Sequence, residues 1–453
     1  MPSPACRRSP RGSLPCRASG GTDITADTNA TPDQASSQAS DQDQADTEAP
    51  EPPRLLTEPE GGIPFVTNSR QELERCARLL KAGTGPVAVD AERASGFRYG
   101  QRAFLVQIKR EGAGIWLIDP EAFEGLGIIQ EALSGVEWIL HASTQDLPCL
   151  SDLGMWPDRL FDTELAGRLL GLPRVGLASV LEQLLGVALA KEHSAADWST
   201  RPLPEDWLRY AALDVELLVE LRAAMIEMLT EAGKLGWAEE EFEAIRTAPL
   251  PGPRREPWRR TSGMHRLRKP QQLAVVRELW ETREALARNR DVAPGRLIPD
   301  AAIVAAAASQ PSTVPALLKT QGFHGRAASK EGPRWVRAIQ AGQAAAQTRD
   351  GLPPLHLPLD GPPPPRAWRD RNPLADRRLK TAKAWIGNKA EELSLPTENL
   401  LTPDTLRRLC WSPPEEIDPD SVAAALAGLG ARSWQVSIVA PILTVALLDP
   451  DSA

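Results

Sequence analysis

The chain is poor in the residues that build disulfide frameworks and zinc fingers. It has five cysteines in 453 residues, with no CxxC pair and no histidines at zinc-finger spacing. We therefore expect neither structural zinc nor disulfides, and a reducing, cytoplasmic environment suits free thiols best. No apolar run reaches the roughly 18 residues of a membrane span. The Arg-containing start also lacks the apolar segment of a signal peptide.

Charge is distributed unevenly. The net charge of −8 would argue against a nucleic-acid partner if it were spread over the whole chain. Residues 22–60, however, hold ten Asp and Glu against Arg54 alone and have almost no large apolar residue. We predict that residues 1–60 form a disordered acidic tail. Residues 251–380 hold 24 Lys and Arg against 11 Asp and Glu, a net charge of +13, so a polyanion-binding surface is expected there.

Two proline-rich breaks, at residues 248–254 and 351–365, divide the remaining chain into three blocks. We call them the catalytic block (62–247), the middle helical block (261–345) and the C-terminal helical block (369–449). Each is long enough to bury a core of its own.

The catalytic block mixes strand and helix patterns. Four short apolar runs that predict strands lie close together, which favours a mixed sheet over a strict βαβ repeat; they cover 86–90, 104–108, 115–119 and 138–141. The clearest helix pattern starts near Pro204 and runs to Gly233.

The two later blocks have helical patterns only, and they resemble each other. Each has a helical run, then a Leu-rich turn in which Pro-Asp starts the next helix, at Pro299-Asp300 and Pro403-Asp404. This shared order suggests a duplicated small helical domain.

Carboxylates carry the clearest chemical signal. Asp90 and Glu92 end the first predicted strand and, two residues apart, project to one face. Asp146 follows the fourth strand, while Tyr210 and Asp214 lie four residues apart on one helix face. Four acids at one site repel one another unless hard cations neutralise them, so Mg²⁺ or Mn²⁺ with oxygen ligands is expected.

These motifs resemble the RNase D family of DEDD exonucleases, in the subgroup with a tyrosine in the third motif. The quoted matches occur in family order across about 130 residues; they are Val89-Asp90-Ala91-Glu92, Tyr99-Gly-Gln101, Leu105-Val-Gln-Ile108, Leu140-His-Ala-Ser143, Gln145-Asp146, Phe161-Asp-Thr163, Asp197-Trp198, Arg201-Pro-Leu203 and Tyr210-Ala-Ala-Leu-Asp214. One departure is the pair Ala91 and Arg93, where the family commonly has Thr and an apolar or aromatic residue. It bears on how the terminal nucleotide fits beside Glu92.

The resemblance implies an RNase H-like α/β fold with a mixed sheet, followed by two all-α domains. It also implies hydrolysis with two divalent ions, Mg²⁺ or Mn²⁺, held by four carboxylates, and a tyrosine that orients the attacking water; the ligands would be Asp90, Glu92, Asp146 and Asp214, and the tyrosine Tyr210. The middle block resembles the helicase-and-RNase-D C-terminal (HRDC) domain, a nucleic-acid-binding module. The C-terminal block resembles the additional helical domain of RNase D proteins.

Further residues are candidate nucleic-acid contacts. His141, Asp197 and Trp198 fall in the matched motifs, although packing or helix capping is the alternative for each, as it is for His193 and Arg201. A basic, Trp-containing segment opens the middle block and is suited to phosphate contact and base stacking, with a charged linker as the alternative; its candidates are Arg259, Arg260, Arg266, Arg268 and Lys269.

The resemblance, together with the basic later half of the chain, thus implies a metal-dependent 3′→5′ exoribonuclease that releases nucleoside 5′-monophosphates and trims the 3′ ends of tRNA precursors and similar structured RNAs. We expect a monomer that uses no nucleotide cofactor. No GxxxxGK[ST] loop is present, which excludes a helicase. A 3′→5′ DNA exonuclease and a non-catalytic RNA-binding scaffold remain the alternatives.

Overall fold

The computed structural model describes residues 52–189, 196–358 and 360–451. Its strands form a six-stranded sheet in the order β2-β5-β4-β3-β6-β7 and a separate pair, β1 with β8. The strands are β1 (Arg54–Leu56), β2 (Val66–Thr67), β3 (Thr84–Arg93), β4 (Ala103–Glu111), β5 (Gly114–Ile118), β6 (Glu137–Leu140), β7 (Arg159–Asp162) and β8 (Val187–Leu189).

The large sheet is mixed. β3 lies inside it, antiparallel to β4 and parallel to β6, while β2 joins β5 and β7 joins β6 in parallel. Val87, Ala88 and Val89 are completely buried, as expected for a strand covered on both faces. The expected mixed-sheet α/β fold is confirmed. The last residues of β3 lie near the middle of the sheet edge at which this strand ends.

In the described part of the catalytic block, eight α-helices surround this sheet, and one expected helix is interrupted. The helices are α1 (Arg70–Ala82), α2 (Gly127–Ala132), α3 (Leu147–Asp152), α4 (Thr163–Leu169), α5 (Leu177–Leu185), α6 (Glu205–Glu216), α7 (Leu218–Glu231) and α8 (Leu235–Thr247). The single helix predicted from Pro204 to Gly233 is two, α6 and α7, which meet at Leu217. Lys109 of β4 donates a hydrogen bond to the main-chain carbonyl of Glu216 at this point, and so competes with the helical ladder.

Among the described residues, the two later blocks contain helices and connecting loops but no strands. The middle block contains α9 (Pro270–Arg290), α10 (Pro294–Leu297), α11 (Asp300–Ser309), α12 (Val314–Leu317), α13 (Arg326–Lys330) and α14 (Gly332–Ala345). The C-terminal block contains α15 (Trp368–Arg371), α16 (Pro373–Glu392), α17 (Thr397–Leu400), α18 (Pro403–Trp411), α19 (Pro419–Gly428) and α20 (Ser433–Leu448). Both have a long helix, a one-turn helix and a short helix that starts at or beside Pro-Asp, and both end on a long helix.

The predicted acidic tail is partly outside the described residues and partly corrected. Residues 1–51 are outside. Arg54–Leu56, inside the predicted tail, form a strand whose partner is Val187–Leu189, and the Arg54 nitrogen donates to the Gly186 carbonyl beside it. Among the residues that the structure describes, no helix is long and apolar enough to cross a bilayer.

Candidate active site

Three of the predicted acids meet at the sheet edge. Asp90 and Glu92 leave β3 on one face, and α6 crosses that face with Asp214 on its underside. One carboxylate oxygen from each lies within 4.8 Å of the others. Three hard oxygen donors this close fit a divalent cation such as Mg²⁺ or Mn²⁺.

The fourth acid, Asp146, is buried and lies beside this group, in an ion pair. Its Oδ1 is 3.3 Å from Arg93 Nη2, and Arg93 Nη1 donates to the carbonyl of Gln145 at 2.5 Å. The register of β3 against β4 shifts between Glu92 and Arg93, an irregularity of the kind that re-aims a side chain beside an active site. Sequence reasoning noticed Arg93 as a departure from the family pattern but missed this ion pair.

The loop that presents Asp146 is fixed by Asp162, at the end of β7. The Asp162 carboxylate accepts hydrogen bonds from the main-chain nitrogens of Ala142 (3.2 Å) and Ser143 (2.7 Å) and from the Ser143 hydroxyl (2.6 Å). Ala142 has φ +58°, a left-handed conformation that such bonds help to hold. Asp162 belongs to the Phe161-Asp-Thr163 motif, so the signal was visible although the sequence assigned it no role.

Burial and the closeness of the carboxylates raise the pKa values of the acids at this site. Burial raises the pKa of Asp90 to about 6, with Arg93 opposing the shift. Burial, then the charge of Asp90, raises the pKa of Asp146 to about 8. Burial and the charges of Asp90, Asp214 and Asp146 hold the pKa of Glu92 well above its usual range. A cation in this cluster would reverse these shifts, because it stabilises the ionised carboxylates.

Tyr210 lies on α6 one turn before Asp214 and hydrogen-bonds its carboxylate. Burial, then the charges of Asp214, Glu92 and Asp90, raises the pKa of this phenol, so it keeps its proton at neutral pH. A cavity of about 180 Å³ opens beside both side chains, next to the start of α5. The Tyr210 and Asp214 side chains therefore line one cavity.

The other motif residues mostly support the site by packing. Trp198 is completely buried with its ring 6.3 Å from that of Tyr210, which leaves no ring face for a base in this conformation. Asp197 accepts hydrogen bonds from the nitrogen and hydroxyl of Ser199. Arg201 pairs with Asp119, with Nε to Oδ2 at 2.6 Å. His193 lies outside the described residues.

His141 is partly buried, with its Nδ1 2.8 Å from the Thr163 hydroxyl. Burial lowers its pKa, and the charges of Asp162 and Glu164 oppose that shift. A neutral ring hydrogen-bonded to Thr163 suits a packing role in the apolar end of β6.

The basic candidates fall into two kinds. Arg259 is partly buried, 2.9 Å from Glu256 and stacked over Trp258. The others are exposed at the start of the middle block; they are Arg260, Arg266, Arg268 and Lys269. Arg259 and Arg268 also line a groove of about 900 Å³, whose other wall is formed by Leu355, His356, Leu357, Pro358, Asp360 and Pro364.

Known proteins resemble the chain over all three blocks. Family models match residues 63–230 as a 3′–5′ exonuclease, residues 272–339 as an HRDC domain and residues 361–447 as a 3′ to 5′ exonuclease C-terminal domain. Ribonuclease D of Pseudomonas paraeruginosa is 31% identical over 330 residues, which cover 72% of this chain and 84% of that relative.

Two solved structures have the same overall arrangement. A protein from Bifidobacterium adolescentis is 41% identical, with a TM-score of 0.79, and the match covers 87% of this chain and all of the other. Escherichia coli RNase D, described as an exoribonuclease involved in structured RNA processing, is 25% identical, with a TM-score of 0.61. That match covers 81% of this chain and 98% of the other.

Proposed function

Because the chain belongs to the ribonuclease D family and is a 3′→5′ exoribonuclease, we propose that it trims the 3′ ends of tRNA precursors and other small structured RNAs. The products are nucleoside 5′-monophosphates. The observation that carries the proposal is the approach of Asp90, Glu92 and Asp214 oxygens within 4.8 Å, beside a protonated Tyr210. The E. coli neighbour's part in structured RNA processing supports the substrate class.

The exonuclease domain uses divalent metal, and we propose two ions, Mg²⁺ or Mn²⁺. Asp90, Glu92 and Asp214 would hold them, with Asp146 completing the donor set. When bound, such ions stabilise the negative charge that develops on the scissile phosphate. Hard, partly buried carboxylates with raised pKa values match this use, because their crowding is relieved only by positive charge.

Tyr210 orients the attacking water in this proposal. Its hydroxyl donates to Asp214, so an oxygen lone pair remains to accept a hydrogen bond from water in the adjoining cavity. With its pKa raised, the phenol does not act as the stoichiometric base. Trp198 behind the ring, and Trp207 beside Trp198, limit how far Tyr210 can move.

RNA beyond the terminal nucleotide would lie along the basic start of the middle block. Arg260, Arg266, Arg268 and Lys269 are exposed there, and phosphate contacts need accessible cations. We keep His141, Asp197 and Trp198 as contributors to RNA binding that act by holding the site in shape. We also propose that the protein is a monomer. Three buried free thiols, Cys76, Cys149 and Cys410, support a cytoplasmic location.

The test is mononucleotide release by purified protein with Mg²⁺. The substrates are a tRNA precursor with a 3′ extension and single-stranded RNA and DNA of one sequence. Asp214→Asn should abolish release, a loss of at least about 10³-fold, because it removes a charged ligand. RNA affinity should stay within about threefold, since the basic segment is intact. Glu205→Gln, exposed on the same helix, is the matched control and should keep full activity.

Each failure has a distinct meaning. If neither nucleic acid yields mononucleotides, the chain is the RNA-binding scaffold rather than an enzyme. Faster release from DNA would overturn the RNA assignment. Rapid trimming of unstructured RNA with no action on the tRNA precursor would leave the exoribonuclease and remove the substrate class.

A further inference from the structure

Gln107 of β4 is completely buried, yet its side chain has no hydrogen-bond partner among the described residues. Both Nε2 and Oε1 are unpaired. A buried amide left without partners loses its hydrogen bonds to water and gains none in return, so such a residue calls for an explanation.

The sheet register places Gln107 at the carboxylate site. It lies directly opposite Asp90, and directly opposite residues of an antiparallel pair project to the same face with Cβ atoms roughly 4.5–5.5 Å apart. Asp90 also projects its carboxylate on this face. Gln107 is therefore the immediate cross-strand neighbour of a proposed metal ligand.

The neighbours of Gln107 along β4 show what covers it. Leu105, two residues before, packs against Ala211 and Ala212 of α6. Lys109, two residues after, bonds the Glu216 carbonyl at the end of α6. The Gln107 side chain thus lies between the sheet and α6, the helix that carries Tyr210 and Asp214.

The adjacent residues of β4 face elsewhere. Val106 and Ile108 belong to the large core on the opposite side of the sheet. An apolar residue would suit the buried Gln107 position equally well if packing were its only requirement.

We propose that Gln107 is a positioning residue of the exonuclease: its amide, unpaired in this structure, donates a hydrogen bond to the Asp90 carboxylate when a divalent cation is bound and fixes the oxygen that faces that cation. The inference rests on the proposed metal-ligand role of Asp90. Carboxylates that bind metal are usually held by such outer hydrogen bonds, and losing one typically costs 10–100-fold in metal affinity or activity. An amide donor suits this position because it adds no further negative charge to the cluster.

The test is Gln107→Met, which keeps size and removes the amide. Mn²⁺ affinity of the RNA-free protein, measured by calorimetry, should fall by about 10–100-fold. The kcat for RNA at limiting Mn²⁺ should fall with it, whereas the KM for RNA should stay constant. Thermal stability in EDTA should be unchanged or higher, because an unpaired buried amide has been removed. Ile108→Val, on the opposite face of the same strand, is the control and should leave Mn²⁺ affinity at the wild-type value.

Unchanged Mn²⁺ affinity and kcat in Gln107→Met would overturn the inference and leave the proposed function standing. Wild-type protein that neither binds Mn²⁺ nor releases mononucleotides would instead overturn the proposed function. A crystal structure of the wild type with Mn²⁺ decides the point even if the variant does not fold. A Gln107 Nε2 to Asp90 oxygen distance of about 3 Å is expected, and a side chain turned away from Asp90 would refute the proposal.

Discussion

The middle and C-terminal helical blocks share an order of helices but differ in how they meet the catalytic block. The C-terminal block has a common apolar core with it, in which Trp434 and Leu443 join the same cluster as Leu221 and Phe242. The middle block has a core of its own, around Trp335. The C-terminal block thus shares its core with the catalytic block, and we call it the wall. The middle block has the same order of helices but packs around a separate core, and we call it the module.

The composition of the final helices accounts for much of this difference. α20 carries no charged residue over its 16 positions, and a helix apolar on all sides is buried on several of them. α14 carries Arg334 and Arg337 and buries one face only.

The contacts across the two boundaries differ in the same way. At the C-terminal block, the rings of Trp237 and Trp434 stack with centroids 4.7 Å apart. Lys234 donates to the carbonyls of Leu169 and Leu393, one from each block. Gly171 approaches Ser394 so closely that an added Cβ would lie 2.4 Å from the Ser394 carbonyl oxygen. This boundary is closely packed.

The middle block meets the catalytic block mainly through polar groups. Asp291, in the turn after α9, pairs with Arg102 at 2.8 Å and accepts a hydrogen bond from the Tyr99 nitrogen. The Ala293 nitrogen donates to the carbonyl of Phe97, and Arg296 donates to that of Gly96. The loop that follows β3 is therefore held by a module with a separate core.

Truncating one buried tryptophan in each helical block should give the largest difference between the two blocks. Each removes a buried indole at a cost of about 3–5 kcal/mol. Trp434→Ala should destabilise the catalytic and C-terminal blocks together and lower nuclease activity after mild heating. Trp335→Ala should unfold the middle block alone and spare mononucleotide release from short RNA. Hydrogen exchange followed block by block measures both effects, and equal loss of protection in the catalytic block from the two variants would refute separate cores.

Metal ions and pH should change the stability of the catalytic and C-terminal blocks but not that of the middle block. Burial raises the pKa of Asp90 to about 6 and of Asp146 to about 8, so these groups favour the folded state when protonated. In metal-free protein that stability is fully present below the unfolded pKa near 4 and is lost as pH rises through about 6 to 8. The loss is on the order of 1.4 kcal/mol for each unit by which burial raises a pKa, and it belongs to the catalytic and C-terminal blocks.

Calorimetry in EDTA at about pH 5.5 and about pH 8.5 measures this effect. Mn²⁺ should restore stability most at the higher pH, because its ligands are then ionised. Asp146→Asn should remove much of the pH dependence. An equal pH response in the middle block would show that the effect does not arise at the carboxylate site.

Much of the catalytic site was predictable because its information is local. Asp90 and Glu92 are two residues apart on a strand, and Tyr210 and Asp214 are four apart on a helix, so periodicity alone aligns each pair. The mixed sheet followed from strands too close together for helical crossovers. These features depend on short stretches of sequence.

What the sequence did not reveal depends on contacts between distant segments. The break at Leu217 needs Lys109, more than 100 residues earlier, to bond the Glu216 carbonyl. Arg93 reaches Asp146 only through a shift in strand register. The merger of α20 with the catalytic core is a fact of tertiary packing, although its lack of charge was an available signal.

The smallest expected effect concerns the polar boundary. Asp291→Ala removes an ion pair whose partners are both more than one third exposed, so the loss of stability should be about 1 kcal/mol or less. The melting temperature of each block should barely change. Hydrogen exchange in residues 96–102 should rise, and kcat should fall by at most about fivefold. Glu331→Gln, which affects ion pairs inside the middle block, is the control and should leave exchange in that loop unchanged.

Faster exchange in residues 96–102 with unchanged activity would mean that the loop can open without disturbing Asp90 and Glu92. Unchanged exchange would mean that the main-chain bond from Ala293 to Phe97 and the contact of Arg296 with Gly96 hold the loop without Asp291. A fall in kcat in Asp291→Ala, with RNA affinity unchanged, would show that the attached module helps to set the geometry at the end of β3. The C-terminal and middle blocks would then differ only in how they pack against the catalytic block, because both would help to position the same carboxylates.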